Sequence, residues 1–382
     1  MMENRSFDHF LGWLPGADGQ QTGLSYVDQQ GVAHPTQPLA PDYQGCGHPD
    51  PDHSYAGGRI AYNGGRCDGW LKASANDDYA IGYYTQADLQ FLGAAAPSWT
   101  TCDRYFAAIM AETFPNRIYQ HAAQTDRLEN SAALSVLPTI WDRLAERGVE
   151  GRYYFTDIPM LALWGAKYLP ISRPVADFVT DCARNTLPGV AFVDPGFLGA
   201  EGGTSGDDHP HADIRRGEAF LNFVYTAIAS SRAWENTVLI ITYDEWGGFF
   251  DHVPPPNAPI PVADQVAGNE DGRLGFRVPC VIVSPFARRD YVASTNFDHT
   301  SILRFIEWRW DLAPLTVRDA TANNLAEELD FKARVQPAPL FTVFPGPFEA
   351  ACPPAPTISS GPETQRWLDV RDLARTFGWP LL

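Results

Sequence analysis

The sequence predicts an α/β protein, and three observations carry that expectation. Thr237-Val-Leu-Ile-Ile-Thr-Tyr243 is a continuous apolar, β-branched run, the mark of a strand buried on both faces in a parallel sheet. Val278-Pro-Cys-Val-Ile-Val-Ser284 is a second such run. Segments with helical spacing alternate with these strands, which implies a sheet with helices on both faces. In such sheets ligands bind beyond the carboxyl ends of the strands, and Asp244 and Glu245 stand at that end of the first run.

Taken in order, residues 15–80 are rich in Gly, Pro, Asp and Asn and read as long ordered loops. Loops of that length in a compact protein usually build a site or its lid. Residues 139–147 have helical spacing, with Gly148 just past the end. Residues 151–155 read as a strand, and 187–193 as another that ends at Asp194-Pro-Gly196. Residues 213–233 are expected to form an amphipathic helix with Ile214, Phe220, Phe223, Val224 and Ile228 on one side. A further helix spans 298–310, with Asp298 or Thr300 as its cap. From 335 the chain is Pro-rich and is expected to wrap the surface, ending in a short helix around 364–377. The organisation is then one domain over 1–334 with the tail 335–382 packed on it.

The net charge is -18, from 28 basic and 46 acidic residues. Such a surface repels phosphate backbones, which argues against nucleic-acid binding and against a polybasic grip on anionic membranes. A phosphate ligand would have to be held by a local cation or a metal. No apolar run approaches the roughly 20 residues that span a bilayer, and no export signal is visible at the N-terminus. None of the 6 cysteines forms a CxxC pair, so a structural zinc knot is not expected. Cys46 and Cys67 flank one Gly-rich loop and are the expected disulfide, which suits an oxidising compartment. Cys280 reads as a buried thiol.

Four short segments carry the chemistry. Asp244-Glu245, followed by Gly247-Gly248, places two adjacent carboxylates on a turn at a strand end. Without a cation the pair would repel; the plainer reading is that Asp244 caps the next segment. Glu3-Asn4 adds a carboxylate and an amide oxygen, and such a set favours Ca²⁺, Mg²⁺ or Mn²⁺ over zinc. Thr113 precedes Phe-Pro-Asn-Arg117. By itself Thr113 reads first as a helix N-cap; beside a metal it becomes a candidate nucleophile. Arg117 is a fork suited to phosphate or carboxylate. His209, between aspartates just before a helix, is a candidate proton donor to a phosphoryl group or its leaving oxygen, and His53 is a similar candidate. His252 is expected to brace the acid set from behind. His9 and His299 read as structural, hydrogen-bonded near helix starts.

The run Met1-Met-Glu-Asn-Arg-Ser-Phe-Asp-His9 resembles the signature of a bacterial phosphoesterase family, that of the non-zinc phospholipases C and related acid phosphatases. The resemblance continues through Tyr62-Asn-Gly-Gly65, Thr113 to Arg117, Asp208-His-Pro210, Thr242-Tyr-Asp-Glu245, Gly247 to Pro256 and Asp298-His-Thr-Ser301, nearly the whole chain. It implies an alkaline-phosphatase-like core, a central mostly parallel sheet flanked by helices, with long loops as a lid and one divalent metal ion. Glu3, Asn4, Thr113, Asp244 and Glu245 would hold the metal. Thr113 would be the nucleophile, His53 and His209 would contact the phosphoryl group, and Asn4 and Arg117 would bind substrate. Attack by Thr113 would release a diacylglycerol alkoxide, and water would then release phosphocholine or a similar head group.

Arg152 to Pro159 with Leu161-Ala-Leu-Trp164 resembles the phospholipase C branch, whereas the acid phosphatases usually carry serine where Thr113 stands. Tyr153, Tyr154 and Trp164 would then help form a choline pocket by cation–π attraction, an alternative to simple core aromatics. Trp246, where Asn is common, is expected to reshape the pocket rim. Substrates would be phospholipids or small phosphate esters, with transient contact to a membrane surface and a secreted or periplasmic setting. Family members carry an apolar strand and an export signal ahead of the Met-Met-Glu-Asn run, so the first strand is expected to be missing from this chain. The alternatives are an acid phosphatase and an inactive phosphate- or surface-binding homologue.

Overall fold

Two sheets carry the core of the computed structural model, which describes residues 1–200, 202–332, 337–348, 351–352 and 362–381. The larger has four strands in the order Leu239–Thr242, Cys280–Val283, Thr100–Cys102 and Tyr291–Ala293. The other sets Gly151–Phe155 between Ser172–Pro174 and Val190–Val193, all parallel. The α/β architecture therefore stands, and parallel pairings predominate among the described strands. One expectation changes. Leu239–Thr242 pairs antiparallel with Cys280–Val283, Ile240 opposite Ile282, and its first two residues are only half-buried. It is the outer strand of its sheet. An unbroken β-branched run signals burial, and burial is complete only for Cys280–Val283, which has a neighbour on each side.

Helices pack against both sheets. Ile140–Glu146 is closed at its start by a capping box between Thr139 and Asp142. Ile214–Ala229 buries Ile214, Gly217, Leu221, Val224 and Ile228, whereas Phe223 is 41% exposed. The inward face thus runs through Leu221 rather than Phe223, and it carries a carboxyl, Glu218, into the core. His299–Trp310 starts at Asp298, whose side chain accepts from the Thr300 N–H.

Residues 15–80 are packed rather than open. They hold the hairpin Ser25–Val27/Ala33–Pro35 and the helix Tyr55–Tyr62, and the Trp70 ring packs at a tilt against Phe276, centroids 4.5 Å apart. Trp246 is fully buried in the same cluster, 5.3 Å from Phe276, so it fills core and does not shape a rim. The disulfide joins Cys46 to Cys352 of the tail, Cα to Cα 5.5 Å, and not to Cys67. Cys67 is a buried thiol, turned into the Trp70 cluster. The tail returns to this loop, where the Cys352 N–H donates to the Gly202 carbonyl at 2.9 Å, a partnership invisible to local spacing. The tail ends in a helix, Pro362–Thr376, whose Trp367, Val370 and Ala374 join the core around the parallel sheet.

An apolar cavity of about 750 Å³ lies between Val190–Val193 and Leu239–Thr242, and Met1 and Met2 line it. Met2 pairs parallel to Tyr243. Its N–H donates to the Thr242 carbonyl at 2.8 Å, and its own carbonyl accepts from the Asp244 N–H at 3.2 Å. This short ladder fixes residues 3 and 4 beside residues 244 and 245.

Candidate active site

The site is built where the Met2 ladder ends. Asn4 takes a left-handed conformation, φ +61°, which asparagine tolerates better than most residues. Its N–H donates to Asp244 Oδ1 at 3.0 Å, and the Arg5 N–H donates to the Glu245 carbonyl at 3.1 Å. The turn after Glu245 then folds over Asn4. Gly247 has φ +63°, and a Cβ there would lie 2.1 Å from the Asn4 carbonyl oxygen, so only glycine fits.

Thr113 comes from the other side, as the first residue of the helix Thr113–Ala122. Glu112 occupies the cap position, so Thr113 is not the N-cap. Its hydroxyl donates instead to Asn4 Oδ1 at 3.1 Å. Asn130 Oδ1 accepts the Phe114 N–H at 2.7 Å and satisfies one of the open donors of the first turn. Pro115 in that turn removes a donor the helix would not use. The structure therefore brings Glu3, Asn4, Thr113, Asp244 and Glu245 together, each 0% exposed and each offering oxygen. Asn4 Nδ2 is buried and has no hydrogen-bond partner among the described residues.

Arg117 stands one turn along the same helix, but it does not face a cleft. Its Nε donates to Asp244 Oδ2 at 3.0 Å, Nη1 to Asp194 Oδ1 at 3.2 Å and Nη2 to the Met2 carbonyl at 3.1 Å. Burial alone would depress its pKa; Asp244, Asp194 and Glu3 around it push it above its ordinary value. The guanidinium orients Asp244 and closes the Met2 ladder. The expected phosphate clamp is thus a buried brace.

The histidines arrive on two loops. The Asp207 side chain accepts the His209 N–H at 2.9 Å, and the Asp207 carbonyl accepts the Glu3 N–H at 2.8 Å. Arg5 donates to the Asp208 and His209 carbonyls at 2.6 and 3.0 Å. Arg5 and Asp207 thus tie this loop to the acid set. His209 is fully buried, its Nε2 3.5 Å from Asp50 Oδ2. Burial would raise the Asp50 pKa; His209 first, then His53 and His211, overcome this and hold it below the ordinary carboxylate range. His53 lies three residues on, just before the helix Tyr55–Tyr62.

Tyr154 and Trp164 are not brought to this set. The Tyr154 hydroxyl donates to Asp181 at 2.7 Å, and its ring packs edge-on against Phe178. Trp164 Nε1 donates to the Leu137 carbonyl at 2.9 Å, and its ring meets Tyr168. Both are core aromatics. The reason is strand alternation: Tyr154 points to the face opposite Tyr153, whose hydroxyl reaches Asp194 at 2.5 Å. His252 Nδ1 lies 2.6 Å from Asp8 Oδ2, and Asp8 belongs to the helix Phe7–Leu11 that follows Glu3-Asn4. His9 Nδ1 meets the Gly82 carbonyl at 2.7 Å, and His299 Nε2 meets the Asp244 carbonyl at 2.6 Å, both at helix starts.

Two acid–histidine groups elsewhere have ligand atoms within 4.8 Å of one another, Asp8–Asp251–His252 and His48–Asp77–Asp78. The first already surrounds a cation, since Arg277 Nη2 lies 3.0 Å from Asp8 and Nε 2.9 Å from Asp251. Sequence reasoning passed over Arg5, Asp50 and Trp367. Arg5 sits inside the Met1–His9 run and Asp50 three residues before His53, whereas Trp367, whose Nε1 donates to Glu3 Oε1 at 3.4 Å, has no local signal.

Behind His209, the Asp208 carboxyl is pushed up to about 7 by burial, against the stabilising Tyr243 hydroxyl at 2.7 Å. Glu218 nearby is pushed up to about 8, again first by burial and then by Asp208. A carboxyl whose folded pKa is raised holds a proton that the unfolded chain releases. Stability then falls as pH rises from about 4 to about 7 for Asp208, and it is level above that. Asp208→Asn should reduce this fall by on the order of a few kcal/mol. Urea unfolding of both proteins at pH 5 and pH 8 checks it: parallel losses would mean that Asp208 is ionised throughout.

The chain is 30% identical over 402 residues to Phospholipase C A of Mycobacterium tuberculosis, covering 87% of this chain and 76% of the relative. It is 31% identical over 416 residues to Phospholipase C B of the same organism, covering 88% and 78%. It is also 30% identical over 362 residues to Non-specific phospholipase C6 of Arabidopsis thaliana, covering 84% and 69%. Among solved structures it resembles a protein in the alkaline phosphatase superfamily from Vibrio parahaemolyticus, with a TM-score of 0.39, 11% identity and coverage of 63% and 66%. No helix among the described residues is long and apolar enough to cross a membrane. Residues 1–313 match the model of the Phosphoesterase family, the stretch that holds Glu3-Asn4, Thr113, His209 and Asp244-Glu245; the chain belongs to that family and is a hydrolase acting on phosphate esters.

Proposed function

We propose that this chain is a phospholipase C-type phosphodiesterase with Thr113 as its nucleophile. The observation that carries the reading is the Thr113 hydroxyl, fully buried and 3.1 Å from Asn4 Oδ1, in a residue that Asp244 itself holds in place. Glu3, Asn4, Thr113, Asp244 and Glu245 are an all-oxygen set, which fits one hard divalent cation, Ca²⁺, Mg²⁺ or Mn²⁺. Such an ion, when bound, would lower the pKa of the Thr113 hydroxyl and offset charge on the phosphoryl oxygens.

The chain's own groups then have distinct tasks. Thr113 Oγ1 passes its proton to solvent water and bonds to phosphorus as the bond to the glycerol oxygen breaks. His209, with Asp50 beside it and His53 close by, gives a proton to that departing oxygen. The buried Nδ2 of Asn4 is placed to donate to a phosphoryl oxygen. Water next attacks the phosphocholine ester of Thr113. The bond from phosphorus to Oγ1 breaks, and the two protons of the water restore Thr113 and His209.

The phospholipase C relatives support a diester substrate, and the Cys46–Cys352 disulfide suits a secreted or periplasmic setting. The test compares nitrophenyl phosphorylcholine with nitrophenyl phosphate, with and without chelator. The diester should be favoured by at least about tenfold in kcat/KM, and chelation should remove the activity until Ca²⁺, Mg²⁺ or Mn²⁺ is returned. The reverse preference would make the enzyme a phosphomonoesterase, and activity untouched by chelation would remove the metal from the reading.

A further inference from the structure

The family match ends at residue 313, yet the C-terminal helix Pro362–Thr376 reaches the acid set. Trp367, only 1% exposed, lies flat on Phe197, with ring centroids 4.0 Å apart and planes 4° apart. Phe114, next to Thr113, meets it edge-on at 4.9 Å. The Arg117 guanidinium sits over Phe197 at 4.5 Å, and 5.9 Å from the Trp367 ring. The indole N–H donates to Glu3 Oε1 at 3.4 Å. The helix is pinned beyond Trp367 as well, since Trp379 Nε1 donates to the Gly165 carbonyl at 2.9 Å.

We infer that Trp367 is a positioning residue of the active site, its indole N–H fixing the Glu3 carboxylate so that the opposite oxygen is presented to the metal. The inference rests on the metal reading given under Proposed function. A tryptophan is a donor only, so Glu3 Oε1 is the acceptor in this contact. Its ring, held on Phe197 and Phe114, cannot swing away. A side chain that orients a metal ligand commonly sets affinity by about 10- to 100-fold when it is lost. The C-terminal helix is thereby part of the catalytic apparatus and not only a wrap on the surface.

The test is calorimetric Mn²⁺ binding to the full chain, paired with the melting temperature of the metal-free protein. Glu3→Gln serves as the reference: if it leaves Mn²⁺ affinity unchanged, the ligand assignment fails and the role of Trp367 fails with it. Given a loss in Glu3→Gln, Trp367→Phe keeps an aromatic ring and removes the donor. It should bind Mn²⁺ about tenfold more weakly. Trp367→His keeps an N–H in a smaller ring and should bind more tightly than Trp367→Phe although its metal-free melting temperature is lower. Wild-type affinity in Trp367→Phe, or losses in both variants that simply follow their melting temperatures, would reduce Trp367 to packing. Should Trp367→Phe not fold, Trp367→His decides alone: near wild-type affinity at a lowered melting temperature supports the inference, and a tenfold loss overturns it.

Discussion

Thr113→Ala should lower phosphatidylcholine turnover by at least about 10³-fold while the protein stays folded. The hydroxyl is buried and donates to Asn4 Oδ1, so its removal costs that hydrogen bond, about 1 kcal/mol of stability. Its removal takes away the atom that bonds to phosphorus. Thr113→Ser keeps an oxygen at the same place and should retain a measurable fraction of the rate. Head-group release, read against circular dichroism of each variant, separates the outcomes. Full activity in Thr113→Ala would transfer the nucleophile to water and leave Thr113 as a helix-start residue.

Arg117→Met is the second large effect, and it falls on stability. Arg117 links Asp244, Asp194 and the Met2 carbonyl in a region where all these groups are buried. Removing one member of a buried charge network costs about 3–5 kcal/mol, because the carboxylates keep their charge and lose a counter-charge. The same change frees Asp244 to rotate, so Mn²⁺ affinity should fall together with the melting temperature. A substrate clamp would behave differently: KM would rise and the melting temperature would hold. Thermal unfolding and KM measured on one preparation therefore decide between a brace and a clamp.

The parts of this site that sequence made legible are those held by neighbours in the chain. Glu3-Asn4 and Asp244-Glu245 are adjacent pairs, and the Gly247 turn that brings them together is written next to Glu245. Thr113 was ambiguous because a threonine before a helix serves equally as a cap; only Glu112 at the cap position removes the ambiguity. Arg117 misled for a physical reason. A guanidinium fork suits phosphate and carboxylate alike, and the carboxylates that claim it, Asp194 and Asp244, lie 77 and 127 residues away. Tyr153 and Tyr154 alternate across their strand, so Tyr153 reaches Asp194 while Tyr154 turns to Asp181, and two adjacent tyrosines cannot line one pocket. Cys352 and Trp367 were out of reach altogether. Both lie in a tail whose local pattern gives a Pro-rich stretch and a short helix but no partner for either, and both act through contacts across more than 300 residues.

The fold shows the same division. Strand positions and helix caps follow from local chemistry, as the Thr139 and Asp298 capping boxes illustrate. Strand direction does not, because Leu239–Thr242 looks the same to its side chains whether its neighbour runs parallel or antiparallel. The Met2–Tyr243 pairing is likewise non-local, and it is what sets two proposed ligands beside two others.

The most direct measurement is an acid quench of the enzyme during phosphatidylcholine turnover, followed by mass analysis of the peptide that contains Thr113. A phosphocholine adduct on Thr113 is expected, formed before phosphocholine is released and absent in Thr113→Ala. Turnover at full rate with no adduct on that peptide, or with the adduct on another residue, would contradict it.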